Sequence, residues 1–334
     1  MSTADEKNIT DQFGRHIKYL RVSVTDRCNF RCKYCVPAVE NYNHVPHPQI
    51  MTYEEMLTVV EVFAELGVHK VRVTGGEPLV RRGIENFLGE ISKVKGIDEV
   101  TLTTNGALLG KYADSIQKAG IKRINVSLDS LRPDRYKEIT GGFNLQNLIE
   151  GIRYAQSIGI GPIKTNTVVI KGFNDDEIGD FCDFAAANNI TSRFIEFMPV
   201  GNYLEWKDKG VLSGKEMLDV ISSKYTAKEL KKEKYAGPAK NYLLSNGAKV
   251  GIITPISNHF CSECDKLRIT ADGKLRPCLL SDTEIDILPI VRDGYKQAIK
   301  AEIIRGLFMK EKEHNVLLEK KNNEFSRTMS KIGG

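Results

Sequence analysis

The chain has 334 residues, enough for one barrel-sized domain with an extension or for two ordinary domains. With 41% hydrophobic and 27% charged residues, it has the composition of a globular protein, and no apolar run approaches the roughly 18 residues of a membrane span. The net charge of +5 is mild and diffuse, which does not indicate a nucleic-acid partner and is compatible with an anionic small molecule.

Between about residues 18 and 200, short β-type segments alternate with helical segments such as 52–67 and 176–189. This alternation predicts a parallel sheet with helices on its outer face. Six βα units predict an α/β fold, namely a partial (βα)6 TIM-type barrel. The predicted strands are YLRVSVT (19–25), VRVTGG (71–76), EVTLTTNG (99–106), RINVSLD (123–129), IKTNTVVI (163–170) and RFIEFM (193–198).

The two faces of these strands differ in chemistry. One face is apolar, as at Leu20 and Val22 in the first strand, and is expected to lie under the helices. The other face carries Arg21, Arg72 and Lys164, although parallel strands are normally apolar on both faces. Inward cations predict a polar cavity with an anionic ligand; solvated or snorkelling side chains are the alternative for some of them.

After about residue 205 the βα alternation stops, which divides the chain into a barrel domain, 1–205, and an α+β extension, 206–334. The extension carries three of the seven cysteines. Its predicted elements are a helix at 213–225, a hairpin at 241–253 with its turn at Asn246-Gly247, a hairpin at 266–278 with its turn at Asp272-Gly273, a helix at 293–311 and a lysine-rich tail.

The seven cysteines predict metal or redox chemistry. The opening MSTADEKNIT lacks the apolar centre of a signal peptide, so a cytoplasmic location is expected, and cytosolic thiols are kept reduced. Cys182 stands alone in a helical segment and is predicted to be a buried structural thiol. The other cysteines form two compact triads.

The first triad, Cys28, Cys32 and Cys35, has the spacing C-x3-C-x2-C and directly follows the first predicted strand. Barrel enzymes place their chemistry at such strand ends. Three thiolates can hold three irons of a four-iron cluster and leave the fourth iron open for an outside ligand. Structural zinc, with His44 or His47 as fourth ligand, is the alternative, but zinc sites more often use C-x2-C pairs.

The second predicted strand ends in TGGEP (74–78), where Gly75-Gly76 permits a close approach of the backbone to a ligand. Together with the first triad, this motif resembles the radical S-adenosylmethionine superfamily. The resemblance implies a 4Fe-4S cluster that binds S-adenosylmethionine, with Tyr34 packed against the adenine. Further contacts implied for this cofactor are Gly76, Thr104, Asn105, Ser127 and Met198.

The second triad, Cys261, Cys264 and Cys278, has the spacing C-x2-C-x13-C. Taken alone, this spacing more often indicates zinc, with His259 available as fourth ligand. However, LRVSVTDRCNFRCKYC, VRVTGGEPLVRR, FCSEC, LRITADGKLRPCL and the double-glycine end resemble the GTP 3′,8-cyclase family of molybdenum cofactor biosynthesis, over roughly residue 13 to the end. The resemblance implies a second 4Fe-4S cluster, which holds the guanine edge.

The resemblance implies a lyase reaction on GTP. A 5′-deoxyadenosyl radical removes hydrogen from ribose C3′, and the ribose carbon attacks C8 to give (8S)-3′,8-cyclo-7,8-dihydroguanosine 5′-triphosphate. The implied partners are an electron donor and a downstream cyclic pyranopterin monophosphate synthase; a homodimer is a candidate assembly, and no nucleic acid or membrane partner is expected. The implied contacts to GTP are Arg21, Arg72, Thr103, Lys164, Lys266 and Arg268, with Arg21, Arg72 and Lys164 at the family's triphosphate positions.

Lys266 and the final glycine pair are two places where the resemblance and the sequence differ in what they imply. The family usually has arginine where this chain has Lys266, so the charge is kept but the planar fork of donors is lost. In the family Gly333-Gly334 enters the active site, whereas the sequence alone would predict a frayed end.

Other classes of function stay open at this point. Another dual-cluster radical enzyme, such as a peptide-modifying maturase, would usually carry more than three C-terminal cysteines. An electron carrier would be expected to complete each cluster with four cysteines, and a zinc-stabilised binding module would hold zinc instead of iron.

Overall fold

The computed structural model describes residues 9–35, 43–198, 211–231, 237–314 and 327–333. Its strands are β1 Tyr19–Ser23, β2 Lys70–Thr74, β3 Glu99–Thr104, β4 Arg123–Ser127, β5 Lys164–Val169, β6 Thr191–Glu196, β7 Ala227–Glu229, β8 Lys240–Leu244, β9 Lys249–Ile253, β10 Lys266–Ile269, β11 Lys274–Arg276 and β12 Ile285–Asp286. Its helices are α1 Tyr53–Glu65, α2 Ile84–Ile91, α3 Leu109–Lys118, α4 Pro133–Thr140, α5 Leu145–Ser157, α6 Ile178–Ala187, α7 Gly214–Lys224, α8 Leu288–Arg292, α9 Lys296–Phe308 and α10 Met329–Ile332.

Strands β1 to β6 are parallel and lie side by side in chain order, which confirms the predicted α/β class. Alternate residues such as Leu20, Val73 and Phe194 join one hydrophobic core with the helices. The residues between them line a cavity that all six strands border, an arrangement compatible with a partial barrel.

The extension continues this sheet at both edges. β10 pairs in parallel with β1, and β9 pairs in parallel with β6. Both predicted hairpins are present, with Gly247 (φ 85°) and Gly273 (φ 71°) in left-handed turn positions that favour glycine. The predicted domain boundary at 205/206 lies outside the described residues and stays a prediction.

The helices near the C-terminal end differ from the prediction. The predicted helix at 293–311 is shorter, since α9 begins at Lys296 and ends at Phe308, while Gly294 (φ 77°) separates it from α8. The prediction of a tail is wrong for residues 327–333, because they contain α10. None of the described helices has the length and apolar character needed to cross a bilayer.

Candidate active site

All site residues predicted from the sequence line one cavity of about 380 Å³, which lies in the usual size range of small-molecule sites. They come from the barrel strands and from the extension, so the cavity depends on both parts of the chain. They are the six triad cysteines; Tyr34, Gly76, Thr104, Asn105, Ser127 and Met198; and Arg21, Arg72, Thr103, Lys164, Lys266 and Arg268.

The first triad lies in the loop that follows β1. Cys28 Sγ accepts hydrogen bonds from the Phe30 amide at 3.3 Å and from Asn105 Nδ2 at 3.7 Å. Burial raises the pKa of the Cys28 and Cys32 thiols, and raises that of Cys35 to about 12. These thiols are therefore protonated at neutral pH without a cation, and they become good ligands once a positively charged iron centre displaces the protons.

The Gly75-Gly76 pair lets two segments of the backbone pack closely together. A Cβ atom on Gly76 would lie 2.5 Å from the Arg27 carbonyl oxygen, and one on Gly75 would lie 2.7 Å from the Thr25 carbonyl oxygen. The Gly76 amide donates to the Thr25 carbonyl at 2.7 Å. The two glycines thus allow the loop of the first triad to pack closely against the end of β2. Both also line the cavity, and their approach to a ligand stays a prediction.

Two buried carboxylates lie at the same ends of the strands. Glu77 is 1% exposed and accepts hydrogen bonds from Thr104 Oγ1 at 2.7 Å and from the Asn105 amide at 2.6 Å. Tyr34 donates its hydroxyl to Asp129 Oδ2 at 2.7 Å. Burial raises the pKa of Glu77 to about 7 and that of Asp129 to about 6, so the first-triad end of the cavity can bear negative charge or accept protons.

A row of cations lies within the strands, before the strand ends that carry the first triad and the two carboxylates. Arg21 is in register with Arg268 on one neighbouring strand and with Arg72 on the other. Arg72 Nη1 donates to Thr103 Oγ1 at 3.1 Å. Burial is the largest cause that lowers the pKa of Arg21 to about 9, and the positive charge of Arg268 is the next. Arg21 is therefore still charged at neutral pH. Crowded and desolvated cations of this kind favour an anionic ligand.

The structure adds three residues that the sequence did not single out, Arg193, Lys70 and Tyr19. Arg193 is 8% exposed, and its Nε is buried without a hydrogen-bond partner among the described residues. Tyr19 accepts a short hydrogen bond from Arg72 and lies under Lys70 Nζ, 5.1 Å from the ring centroid. Burial would raise the pKa of Tyr19, but Arg72 and Arg21 outweigh it and lower this pKa to about 8.

A signal for these residues was present in the sequence. Arg193 has the inward phase of its strand, since Phe194 beside it is buried in the core. Lys70 stands two residues before Arg72, on the same face of β2. Both follow from the alternation that revealed Arg21.

Two loops of the extension carry the second triad. Cys261 and Cys264 lie between β9 and β10, and Cys278 follows β11. Cys261 begins a short 3-10 turn at Cys261–Glu263, and Cys264 leads into β10. Burial tends to raise the pKa of Cys264, but Lys310 and Lys266 outweigh it and lower this pKa. Thiolate ligation is therefore favoured at this position.

Two histidines considered as zinc ligands, His44 and His259, contact carboxylates in the structure. His44 Nδ1 contacts Asp26 Oδ2 at 3.3 Å, and His259 contacts Glu313 at 3.4 Å. Within the described ranges, no three His, Cys, Asp or Glu side chains are arranged to hold a single metal ion.

Lys266 and Gly333 lie beside the cation row. Lys266 Nζ pairs with Asp265 at 2.5 Å and lies 5.3 Å from the centroid of the Tyr19 ring. The Gly333 carbonyl accepts from Arg21 at 3.0 Å and from Arg268 at 3.3 Å, so the prediction of a frayed end is wrong for this residue. Gly334 lies outside the described residues.

The comparisons with known proteins agree with this geometry. Residues 22–185 match the model of the radical SAM superfamily, and residues 190–316 match Molybdenum Cofactor Synthesis C. Streptococcus suis SuiB bound to S-adenosylmethionine has a TM-score of 0.62 at 18% identity, over 96% of this chain and 79% of that chain. The anSMEcpe protein with bound AdoMet has a TM-score of 0.58 at 15% identity, over 89% of this chain and 78% of that one. The fold is that of radical S-adenosylmethionine enzymes.

More specific likeness comes from curated relatives. The GTP 3′,8-cyclase of Alkaliphilus metalliredigens is 46% identical over 97% of this chain and 99% of its own length. That of Peptoclostridium acidaminophilum is 45% identical over 99% of this chain and all of its own. The chain belongs to the GTP 3′,8-cyclase family. Membership of this family does not favour the alternative of a peptide-modifying maturase.

Proposed function

We propose that this protein is a radical S-adenosylmethionine enzyme that converts GTP into 3′,8-cyclo-7,8-dihydroguanosine 5′-triphosphate. The observation that carries the proposal is a single cavity bordered by two cysteine triads and a row of buried cations. Names of the curated relatives support GTP as the substrate.

Cys28, Cys32 and Cys35 would hold the first 4Fe-4S cluster, and Cys261, Cys264 and Cys278 the second. The first cluster, when bound, supplies the electron for reductive cleavage of S-adenosylmethionine. Around it, Asn105 and the Phe30 amide donate hydrogen bonds to Cys28 Sγ and thereby fix this ligand.

The protein's contribution near this cluster is to orient the cofactor. Glu77 is a buried acceptor held by Thr104 and the Asn105 amide, which suits it to an ammonium group. Tyr34, Gly76, Ser127 and Met198 are proposed as further contacts to S-adenosylmethionine. The buried surroundings exclude water from the reacting atoms, as radical chemistry requires.

The triphosphate would bind to the cation row. Arg21, Arg72 and Arg268 lie in register on three neighbouring strands, so their guanidinium groups can surround one polyanion. Thr103, Lys164 and Lys266 are proposed to complete this set, with Arg193 as an addition from the structure. With the triphosphate held in this row, the ribose would point towards the cofactor end of the cavity, as the reaction requires.

The remaining partners are part of the same proposal. An electron donor reduces the first cluster, and the product passes to a cyclic pyranopterin monophosphate synthase. A cytoplasmic location follows from the need of two thiol triads for a reducing compartment. A homodimer stays a prediction.

The test is anaerobic reconstitution with iron and sulfide, followed by S-adenosylmethionine, dithionite and a panel of GTP, ATP, ITP and GMP. We expect 5′-deoxyadenosine and a cyclised nucleotide with GTP, and loss of both in Cys28→Ala. Cys182→Ala is the matched control, because Cys182 is buried in α6 outside the cavity. Stoichiometric zinc without iron, or cyclisation of no nucleotide in the panel, would count against the proposal.

A further inference from the structure

Lys310 is a buried lysine just beyond the end of α9. Its side chain is 2% exposed. Nζ donates to the Pro277 carbonyl at 2.6 Å and to the Lys266 carbonyl at 3.1 Å. Lys266 begins β10 and Pro277 directly follows β11, so the ammonium connects the two sides of this hairpin at its open end.

The charge of Lys310 lacks a carboxylate partner. Among the described residues it forms no ion pair, and its hydrogen bonds reach only neutral carbonyl groups. A buried ammonium that is not compensated by an anion is strongly unfavourable, so natural proteins pair such groups or place them beside a negative centre.

The cysteines of the second triad adjoin both acceptors of Lys310 in the chain. Pro277 immediately precedes Cys278, and Lys266 follows Cys264 by two residues. Three thiolates with an iron cluster carry net negative charge, and reduction adds one more electron to it.

We propose that Lys310 is the counter-charge and positioning residue of the second cluster. Its ammonium ties the strand segments that carry Cys264 and Cys278 together, and it stabilises the reduced state of the cluster, which is more negative by one electron. The inference rests on the proposed function in one respect, namely that the second triad holds an iron–sulfur cluster. It concerns the potential of that cluster and does not depend on GTP cyclisation.

The experiment uses the full chain with Cys28, Cys32 and Cys35 replaced by alanine, so that iron binds at the second triad alone. In this background Lys310→Met removes the charge and keeps the chain length, and Lys310→Arg keeps the charge. Lys312→Met is the matched control, since Lys312 is an exposed lysine of the same segment. The measurements are iron, sulfide and zinc content, thermal unfolding, and reductive titration with dithionite and redox mediators, followed by electron paramagnetic resonance.

We expect Lys310→Met to lower the ratio of reduced to oxidised cluster at a fixed potential by at least tenfold, equivalent to about 59 mV for a one-electron couple. Lys310→Arg should recover most of this shift, and Lys312→Met should show none. Loss of iron in Lys310→Met but not in Lys310→Arg would also support the proposal, because only arginine keeps a cation that can donate to the two carbonyls.

Other results overturn the inference. An unchanged potential in an iron-replete Lys310→Met variant excludes a counter-charge role. Loss of iron in both Lys310 variants assigns the residue to packing, because arginine keeps the charge. Zinc instead of iron in the parent protein overturns the proposed second cluster itself, and metal analysis of the parent alone distinguishes this outcome from the others.

Discussion

Replacing Arg193 by methionine should distinguish the contribution of this side chain to GTP binding from its contribution to the stability of the fold. Arg193 lies in β6 with its Nε buried and without a hydrogen-bond partner among the described residues. Burial, followed by the nearby charge of Arg72, lowers the pKa of Arg193 to about 10. The charged form is therefore disfavoured in the folded state.

The size of this effect follows from the pKa. One pKa unit corresponds to about 1.4 kcal/mol. Burying the charged Arg193 therefore lowers the free energy of unfolding by about 3 kcal/mol. A base with a lowered folded-state pKa destabilises the fold at all pH values below that pKa, and the cost fades only as the pH rises above about 10. At neutral pH the full cost is present.

Arg193→Met should accordingly raise the Tm of the ligand-free, metal-free protein by up to about 4 °C for a chain of this length. It should weaken GTP binding by roughly 10- to 150-fold, because one charge-assisted contact contributes about 1.5–3 kcal/mol. Guanosine, which has no phosphate, should bind the variant and the parent equally.

The assays are thermal unfolding by circular dichroism and calorimetric titration with GTP and guanosine. Arg82→Met is the matched control, since Arg82 is an exposed arginine that does not line the cavity. A variant that loses stability while keeping the GTP affinity of the parent would refute the reasoning, because it would show Arg193 to be structural.

Three further predictions concern the extension. Cys278→Ala should keep slow formation of 5′-deoxyadenosine under dithionite but make no cyclised nucleotide, because guanine placement is lost; cyclisation at the parent rate would make the second triad structural. In the same paired assay Lys266→Ala should show milder uncoupling and Lys266→Arg should be active, whereas an inactive Lys266→Arg would mean that the pairing with Asp265 requires lysine. Arg327→Ala removes two hydrogen bonds to Asp272, of 2.8 and 3.0 Å, and should speed hydrogen exchange in α10 at least tenfold; unchanged exchange would show that other contacts hold it.

The central sheet was predictable because its pattern is local. Alternation of period two in each strand assigned Leu20 to the core and Arg21 to the cavity without knowledge of any neighbour. The same rule would have found Arg193, had it been applied to the sixth strand. The spacing of the first triad is equally local, since one loop carries all three cysteines.

The construction of the cavity was not predictable in this way. That β10 pairs with β1, and so places Arg268 beside Arg21, depends on a pairing between distant segments that periodicity does not encode. The contact of Gly333 with both arginines likewise requires the position of α10. The close packing of Gly75-Gly76 against the backbone of Thr25 and Arg27 was likewise beyond prediction, because a sequence does not show which backbone lies opposite a glycine.

The pairing of β1 with β10 also bears on how the chain is made. Arg21 and Arg268 are register partners although 247 positions separate them. At a synthesis rate of about 5–20 residues per second, β1 emerges from the ribosome roughly 12 to 50 seconds before β10 exists. During this interval one edge of β1 lacks its final neighbour, and β6 likewise awaits β9. Unpaired parallel edges are templates for aggregation, so the nascent barrel is the vulnerable state of this protein, and chaperone demand is expected to fall once the extension has been synthesised.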